Sequence, residues 1–229
     1  MTECLDTVPA DMLERLLAER FSCRGFLRRE IPPEVLSRLL EMAQRSPSWC
    51  NTQPWQLTVL EGAATDRLRE EFVQYAADRV PVSDFPFPER YTGAHQDRRR
   101  ECAWQLYEAV GVQRGDREAS ARQAAENFRF FGAPNVAVLT TGAELGVYGA
   151  VDCGVYVAHF LLAAQSLGLG AIAQAALASH SDFLRERLAL PENRKIVLGL
   201  SFGYPDHDNP ANSFRTHRAD PASVVTRLS

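Results

Sequence analysis

Apolar positions that recur every three or four residues predict seven helices along the chain. The predicted helices span residues 7–20, 33–46, 63–79, 94–112, 118–131, 147–167 and 179–188. We expect Thr7 to cap the first helix and Ser179 to cap the last. Residues 147–167 carry apolar side chains around most of the helix circumference, which is typical of a helix at the centre of a domain.

Four shorter segments, rich in β-branched and other apolar residues, predict strands at residues 55–60, 135–141, 171–176 and 195–202. The last of these is almost continuously apolar, as expected when both faces of a sheet are covered. Helices outnumber strands, and the strands lie far apart in the sequence. We therefore expect an α+β layered domain with a small central sheet surrounded by helices.

Two segments fit neither pattern. Residues 80–92 place three prolines among aromatic side chains, which is too irregular for a helix and too apolar for a bare linker. We expect residues 80–113 to form a lid or substrate cap, and the polar residues 204–229 to form an extended C-terminal tail. A length of 229 residues suits a single domain over residues 1–229.

The charge balance argues against two classes of partner. The formal net charge is −4, so no overall positive field favours nucleic acid or an anionic membrane. The run Arg98 to Arg100 is flanked by Asp97 and Glu101, which predicts a solvated helix face. The N-terminus lacks a basic start followed by an apolar run, and no apolar stretch approaches about 20 residues. We expect a cytoplasmic protein with no membrane span.

The cysteine and histidine residues indicate neither disulfides nor a metal site. Five cysteines are scattered without a C-x-x-C pair or a histidine at metal-ligand spacing, which predicts free thiols. His159 lies in the apolar helix and is expected to be a hydrogen-bonded core residue. Asp152 in the same helix is expected to be a structural acceptor. Neither is a candidate for catalysis.

Two basic clusters are candidates for binding an anion. Arg20, Ser22 and Arg24 alternate along extended chain after the first helix, so they point to one side. Two guanidinium groups and a hydroxyl suit a phosphate, because arginine offers a bidentate fork of donors. The second cluster, residues 212–218, contains Arg215 and Arg218. Taken alone, solvated surface arginines and an exposed tail are the commoner explanations.

Two other segments suit a heterocyclic ligand. Residues 47–55 place amide and hydroxyl groups between prolines just before a strand, and rigid polar loops at strand ends are suited to recognition. A structural Asx turn is an equally common use of such residues. Residues 168–176 are small and would let the backbone approach a ligand, although glycines also end helices routinely.

In this order, the four segments resemble the FMN-dependent nitroreductase family, and the similarity extends over nearly the whole chain. The resemblance implies a nitroreductase-like fold with a mostly antiparallel central sheet, built as an interlocked homodimer. The matching strings are Arg20-Phe21-Ser22-Cys23-Arg24-Gly25-Phe26 and the more specific Ser46-Pro47-Ser48-x-x-Asn51-x-Gln53-Pro54-Trp55.

The resemblance implies that each flavin mononucleotide (FMN) lies at the subunit interface and contacts both chains. The cofactor-binding residues implied are Arg20, Phe21, Ser22, Arg24, Pro47, Ser48, Trp49, Asn51, Gln105, Gln174, Ala175, Ala176, Arg215 and Arg218. The arginines and Ser22 would hold the phosphate and ribityl chain, and residues 47–51 would come from the neighbouring subunit. Gln105 is a polar candidate from the middle helix. Apolar walls beside a small aromatic substrate would be Trp49, Tyr91 and Phe131.

The backbone of residues 174–176 matches the stretch that lies near flavin N5 in the family. Many members carry an acidic residue and a glycine where Ala175 and Ala176 stand here, and a backbone donor survives that exchange. The implied mechanism is ping-pong, with hydride passing from NADH or NADPH to flavin and then to a nitroaromatic or quinone. No dinucleotide-binding fingerprint is present, so the choice between NADH and NADPH stays open.

Two alternatives remain. Related enzymes of the superfamily carry out reductive dehalogenation or other reactions, such as fragmentation of the flavin. For dehalogenation, Glu89 and Tyr91 in the expected lid are of the types that bind an amino acid there, although a lysine partner is not evident. The second alternative is a flavin-binding or sensor protein without catalytic activity.

Overall fold

A four-stranded sheet forms the centre of the fold in the computed structural model, which describes residues 8–228. The expected cap at Thr7 and the thiol of Cys4 lie outside the described residues. Seven α-helices and four strands lie within them. In chain order these are α1 (Val8–Glu19), α2 (Pro33–Ala43), β1 (Gln56–Glu61), α3 (Ala63–Asp78), α4 (Gly93–Ala109), α5 (Arg117–Ala125), β2 (Asn135–Gly142), α6 (Gly146–Ser166), β3 (Gly170–Gln174), α7 (Ser181–Arg187) and β4 (Arg194–Gly203).

The strand order is β1-β2-β4-β3, and every neighbouring pair is antiparallel. Gln56 lies opposite Thr140 at one end of the β1–β2 pair, and Asn135 lies opposite Phe202 in the β2–β4 pair. All eight residues of the inner strand β2 are buried. The predicted α+β domain with a small, mostly antiparallel sheet is therefore confirmed.

Two apolar clusters cover the two faces of the sheet. Alternate residues of β2 supply them, since Ala137 and Leu139 belong to one cluster and Val136 and Val138 to the other. Helices α2 and α6 cover the first face, where the rings of α6 and β4 meet edge to face. Helices α3 and α7 cover the second. Coverage of both faces explains why the inner strands are continuously apolar.

Several predicted helix boundaries are wrong: the helices expected over residues 33–46 and 94–112 end three residues early, and two further boundaries differ because side chains end the helix or form a tighter turn. The helix expected over residues 118–131 ends at Ala125, where the Asn127 amide donates to the carbonyl of Ala124 at 3.0 Å. The helix expected to start at Ser179 begins at Ser181 instead. The Ser179 hydroxyl donates to the carbonyl of Ala176 at 2.7 Å, inside a 3-10 turn.

That same 3-10 turn corrects the third predicted strand, which was expected to reach residue 176. Strand β3 ends at Gln174, whose last partner is Gly199 of β4, and the 3-10 turn Ala175–Ser179 follows directly. Residues 175 and 176 are therefore in a turn at the end of a strand.

Helix α6 was expected to be buried around its circumference, and this is wrong for its first half. Val147, Tyr148 and Val151 are 72%, 62% and 54% exposed in the single chain. The segment Ala143–Ser166 is long and apolar enough to span a membrane by length and composition, although no apolar stretch of that length was expected, and 44% of its apolar window is buried. The sheet covers one side of α6, and an apolar face remains on the other.

Residues 80–92 contain neither helix nor strand, as predicted, but their first part is firmly attached. Val82 exchanges backbone hydrogen bonds with Ser179 and Ser181 at 2.7 and 2.8 Å. The Asp84 carboxylate accepts from the Arg185 guanidinium and from the backbone N–H of Ile196, both at 2.7 Å. This part of the expected lid is thus fixed to α7 and β4.

A buried histidine beside this attachment makes the stability of the fold depend on pH. His180 is 2% exposed among the rings of Phe72, Tyr75 and Phe128, and its Nδ1 has no hydrogen-bond partner among the described residues. Burial lowers the pKa of His180, and the charge of Asp182 opposes this only in part. The folded state therefore keeps the ring neutral at a pH where the unfolded chain binds a proton.

Since the unfolded chain gains this proton near pH 6.5, stability should fall as the pH drops through that value. We expect the free energy of unfolding in urea to be lower at pH 5 than at pH 7.5 through this group. His180→Phe should remove that part of the difference, whereas His207→Phe at an exposed position should keep it. An unchanged pH dependence in His180→Phe would contradict the assignment.

Candidate functional site

The two predicted basic clusters meet in one cavity of about 540 Å³. Its walls are the end of α1, the extended residues that follow, one residue of α4 and the C-terminal tail. The lining residues are Leu17, Ala18, Arg20, Phe21, Ser22, Arg24, Cys102, Phe214, Arg215, Thr216 and Arg218. Six residues expected to bind the cofactor therefore share one space, although about 190 positions separate the two segments.

The first segment is extended because it pairs with the outer edge of β3. Ser22 forms a parallel bridge with Ala171, and the N–H of Cys23 donates to the carbonyl of Ala171 at 3.2 Å. Cys23 is fully buried, so its neighbours Ser22 and Arg24 point the other way, towards the cavity. The predicted alternation is therefore present.

The small residues after α6 make room for the chain itself. A Cβ atom at Gly170 would lie 2.7 Å from Sγ of Cys23, so glycine is required there for the first basic segment to approach β3. Gly168 ends α6 with φ of +72°. At Gly170, the interpretation of this stretch as room for a ligand is wrong, because the space is taken by Cys23.

The cavity concentrates positive charge. No carboxylate of the described residues forms an ion pair with Arg20, Arg24, Arg215 or Arg218. Burial lowers the pKa of Arg20, and the charge of Arg218 lowers it further. Burial likewise lowers the pKa of Arg24. The arrangement favours an anion that would relieve this repulsion.

Aromatic rings hold two of these guanidinium groups. That of Arg215 lies 4.0 Å from the ring centroid of Phe21. That of Arg24 lies 5.9 Å from Phe131 and 5.8 Å from Phe214. Phe131 is only 7% exposed and does not line the cavity, so it contacts Arg24 from the protein interior.

A second cavity of about 490 Å³ adjoins the first and shares Cys102, Thr216 and Arg218 with it. Gln105 lines this neighbouring space, and its Oε1 is buried without a hydrogen-bond partner among the described residues. A buried amide oxygen without a partner is costly in water-free surroundings. Gln105 is thus placed to bind a polar group of a ligand that extends from the basic cavity.

The polar loop before β1 lies away from these two cavities in the folded chain. Trp49 is absent from both of these cavities and instead lines a third, of about 340 Å³, with Tyr148 and Asp152. Trp49 is 62% exposed and packs on Tyr148 with ring centroids 4.8 Å apart. One copy of the chain therefore does not bring Pro47, Ser48, Trp49 or Asn51 to the lining of the arginine cavity.

Two side chains of α6 fix this loop. Asp152 is a structural acceptor, as predicted, whereas His159 is hydrogen-bonded as predicted but only partly buried. The Asp152 carboxylate accepts from the backbone N–H of Trp49, with both oxygens at 3.2 Å. His159 Nδ1 lies 2.8 Å from the hydroxyl of Ser46. Within the loop, Cys50, Asn51 and Gln53 have φ of 51°, 55° and 47°. Three left-handed residues in four positions are strained, and strain of this kind is typical of functional sites.

The remaining predicted residues are placed as follows. The Gln174 side chain is buried and donates to Asn127 while its oxygen accepts from Ser201, so only its backbone remains for a ligand. Ala175 is exposed and Ala176 is half-buried. Tyr91 is 44% exposed, with the Arg99 guanidinium 5.3 Å from its ring centroid.

Reactive protein groups are scarce in the described part of the chain. No group of three metal-ligating side chains occurs in it, and its four cysteines are free. Burial raises the pKa of both Cys23 and Cys153 to about 11, so neither forms a ready thiolate. The site offers binding groups, and its redox chemistry would have to come from a bound molecule.

Comparison with known proteins gives the family. A model of the nitroreductase family matches residues 17–204. The chain belongs to the nitroreductase family. This nitroreductase is 38% identical to nitroreductase NfnB of Mycolicibacterium smegmatis over 222 residues, which cover 96% of this chain and 94% of the relative. It is 31% identical to a 4-nitrobenzoate reductase of a Nocardioides species, with 97% of each chain covered.

A solved structure agrees with this family assignment. The nitroreductase superimposes on the FMN-dependent nitroreductase NfnB from Mycobacterium smegmatis, solved in complex with NADPH, with a TM-score of 0.90. The two are 37% identical, and the match covers 96% of this chain and 99% of the other.

Sequence reasoning did not predict the lining residues Leu17, Ala18, Cys102, Phe214 and Thr216, nor the role of Asn212 behind the cavity. Asn212 is 4% exposed and joins the tail to the first basic segment through its side chain. The only sequence signal was its place at the start of the second basic cluster, and asparagine is common in tails of every kind.

Proposed function

We propose that this protein is an FMN-dependent NAD(P)H oxidoreductase that reduces nitroaromatic or quinone-type acceptors. The observation that carries the proposal is the cavity lined by four guanidinium groups, none of which has a carboxylate partner among residues 8–228. A dianionic phosphate fits this site, because it would satisfy the arginines and relieve their repulsion. The names of the relatives, nitroreductase and 4-nitrobenzoate reductase, support the choice of acceptor.

Arg20, Arg24, Arg215 and Arg218, with the hydroxyl of Ser22, would hold the FMN phosphate. Gln105, in the adjoining cavity, would bind a polar group of the cofactor farther from the phosphate. The bound flavin would supply hydride transfer from a reduced nicotinamide to the acceptor. The chain's own role is to fix the position of the cofactor and to line the space in which the two substrates alternate.

We propose further that the functional unit is a homodimer. The exposed face of α6, with Val147, Tyr148 and Val151, is too apolar to be left in water. The fixed loop at Trp49 lies beside Tyr148 on this face and does not reach its own arginine cavity. A second copy seated on the α6 face would bring its loop to the flavin and add Trp49 as an aromatic wall.

Tyr91 and helix α4 form the remaining part of the proposed substrate cap over a single-domain core. NADPH is the proposed reductant, since the NfnB structure described above was solved in complex with it. A cytoplasmic location fits this proposal, because NADPH and free thiols both belong to a reducing compartment.

Anaerobic reduction of the purified protein tests the proposal directly. The protein should be yellow, NADPH should bleach the flavin absorbance, and 4-nitrobenzoate or a quinone should restore it. NADH tested in parallel gives the reductant preference. Bleaching without recovery in any nitro compound or quinone would refute the acceptor class.

The alternatives give different results in the same experiment. Turnover of a halotyrosine without turnover of nitrobenzoate or quinones would indicate reductive dehalogenation. A yellow protein that neither nicotinamide bleaches would indicate a flavin-binding protein without this activity.

A further inference from the structure

Asn212 connects the two basic segments that line the arginine cavity. Its side-chain oxygen accepts from the backbone N–H of Arg24 at 2.7 Å. Its amide nitrogen donates to the carbonyls of Gly25 at 2.9 Å and Asp206 at 2.7 Å. Its own backbone carbonyl accepts from the Arg215 guanidinium at 2.8 Å.

These contacts use both donors of the amide and hold one arginine from each segment. A buried asparagine with this many partners is specific for one geometry, because neither a shorter nor a charged side chain satisfies two carbonyls and one N–H together. The guanidinium groups on the two segments repel one another, and the described residues place no carboxylate between them. The hydrogen bonds of Asn212 hold the segments together against this repulsion. Asn212 itself does not line the cavity.

We propose that Asn212 is a positioning residue for the phosphate of the cofactor. Its side chain fixes the backbone of Arg24. The same side-chain bonds fix the position of its own backbone carbonyl, which accepts from the Arg215 guanidinium, so that both arginines face one anion. This inference rests on the proposed function, because it assumes that the anion is the FMN phosphate.

A residue that acts through the phosphate arginines should affect FMN and leave riboflavin alone, because riboflavin has the same ring and ribityl chain without the phosphate. The ratio of the two dissociation constants therefore isolates its role. A merely structural residue would weaken both ligands equally and leave the ratio unchanged.

The experiment compares Asn212→Ala and the milder Asn212→Ser with the unaltered protein, measuring the dissociation constants of FMN and riboflavin by quenching of flavin fluorescence. Loss of the hydrogen bonds of the Asn212 side chain should reduce the preference for FMN over riboflavin by about tenfold. Asn135→Ala is the matched control. Asn135 is also 4% exposed and donates to a carbonyl, that of Phe202, but lies in the sheet. This variant should unfold at lower temperature and keep the full preference.

Three results would overturn the inference. The first is an unchanged preference in both Asn212 variants. The second is an equal weakening of FMN and riboflavin, which would make Asn212 structural only. The third is a protein that itself shows no preference for FMN, and this result would overturn the proposed function as well. Loss of the preference in Arg20→Ala but not in the Asn212 variants would refute the positioning role alone. If Asn212→Ala does not fold, Asn212→Ser decides.

Discussion

Replacing Arg20 with alanine is expected to lower the affinity for FMN by about 10- to 100-fold, the range for loss of a hydrogen bond to a charged group. Arg20 is half-buried, lines the cavity and has no carboxylate partner among the described residues. The substitution therefore removes a group whose only strong partner would be the phosphate. Arg24, Arg215 and Arg218 still line the cavity, which keeps the effect below complete loss of binding.

Equilibrium titration of flavin fluorescence measures this change, and Arg15→Ala is the matched control. Arg15 lies on α1, a little over one turn before Arg20, is 76% exposed and pairs with Glu19, so its removal should leave FMN binding unaltered. Arg20→Lys should give an intermediate affinity, because lysine keeps the charge and loses the fork of donors. Equal flavin occupancy in the purified Arg20→Ala and Arg15→Ala variants would show that Arg20 does not bind the phosphate.

Part of the arginine cavity could be predicted from the sequence, because the spacing and the type of its residues determine which side chains share one face. Alternation in an extended segment fixes which side chains share a face, and this put Arg20, Ser22 and Arg24 together. The meeting of this segment with Arg215 and Arg218 followed only from the family resemblance. Spacing within either segment says nothing about a contact between positions so far apart.

Local hydrogen bonds explain most of what the sequence did not predict. Helical periodicity continued past Ala125, but the Asn127 amide and the left-handed Phe130 and Phe131 end the helix there. Gln174 was expected to contact the cofactor through its backbone, and the partners of its side chain, Asn127 and Ser201, were not predicted. Such partners are set by tertiary packing, which residue types in a window do not encode.

The apolar face of α6 shows the same limit at a larger scale. A helix that is apolar all round predicts burial on all sides, but sequence does not say whether the cover is the same chain or a second one. In one chain the first half of this face is open, and the loop at Trp49 lies next to it. A single substitution on this face can therefore test both whether it forms the proposed subunit interface and whether FMN binding depends on that interface.

Val151→Glu is expected to separate the subunits of the proposed dimer and to release FMN. Val151 is 54% exposed in the single chain and lies one turn from Val147 on the apolar face. In a two-fold dimer the substitution enters the interface twice, and each buried carboxylate without a partner costs several kcal/mol. The dimer dissociation constant should therefore rise by at least about 100-fold. Analytical ultracentrifugation would measure the mass, and absorbance would give the flavin content.

Val80→Glu is the matched control, because it makes the same change at a residue that is 82% exposed and lies outside α6. This variant should remain a yellow dimer. A Val151→Glu protein that stays dimeric would place the interface on another face. A monomer that keeps its FMN would show that the arginine cavity of one chain is sufficient for the cofactor, and that the loop at Trp49 does not reach the flavin of a second copy. A Val151→Glu protein that has the mass of a monomer and lacks flavin absorbance would support one shared site made of the apolar face, the strained loop and the arginines.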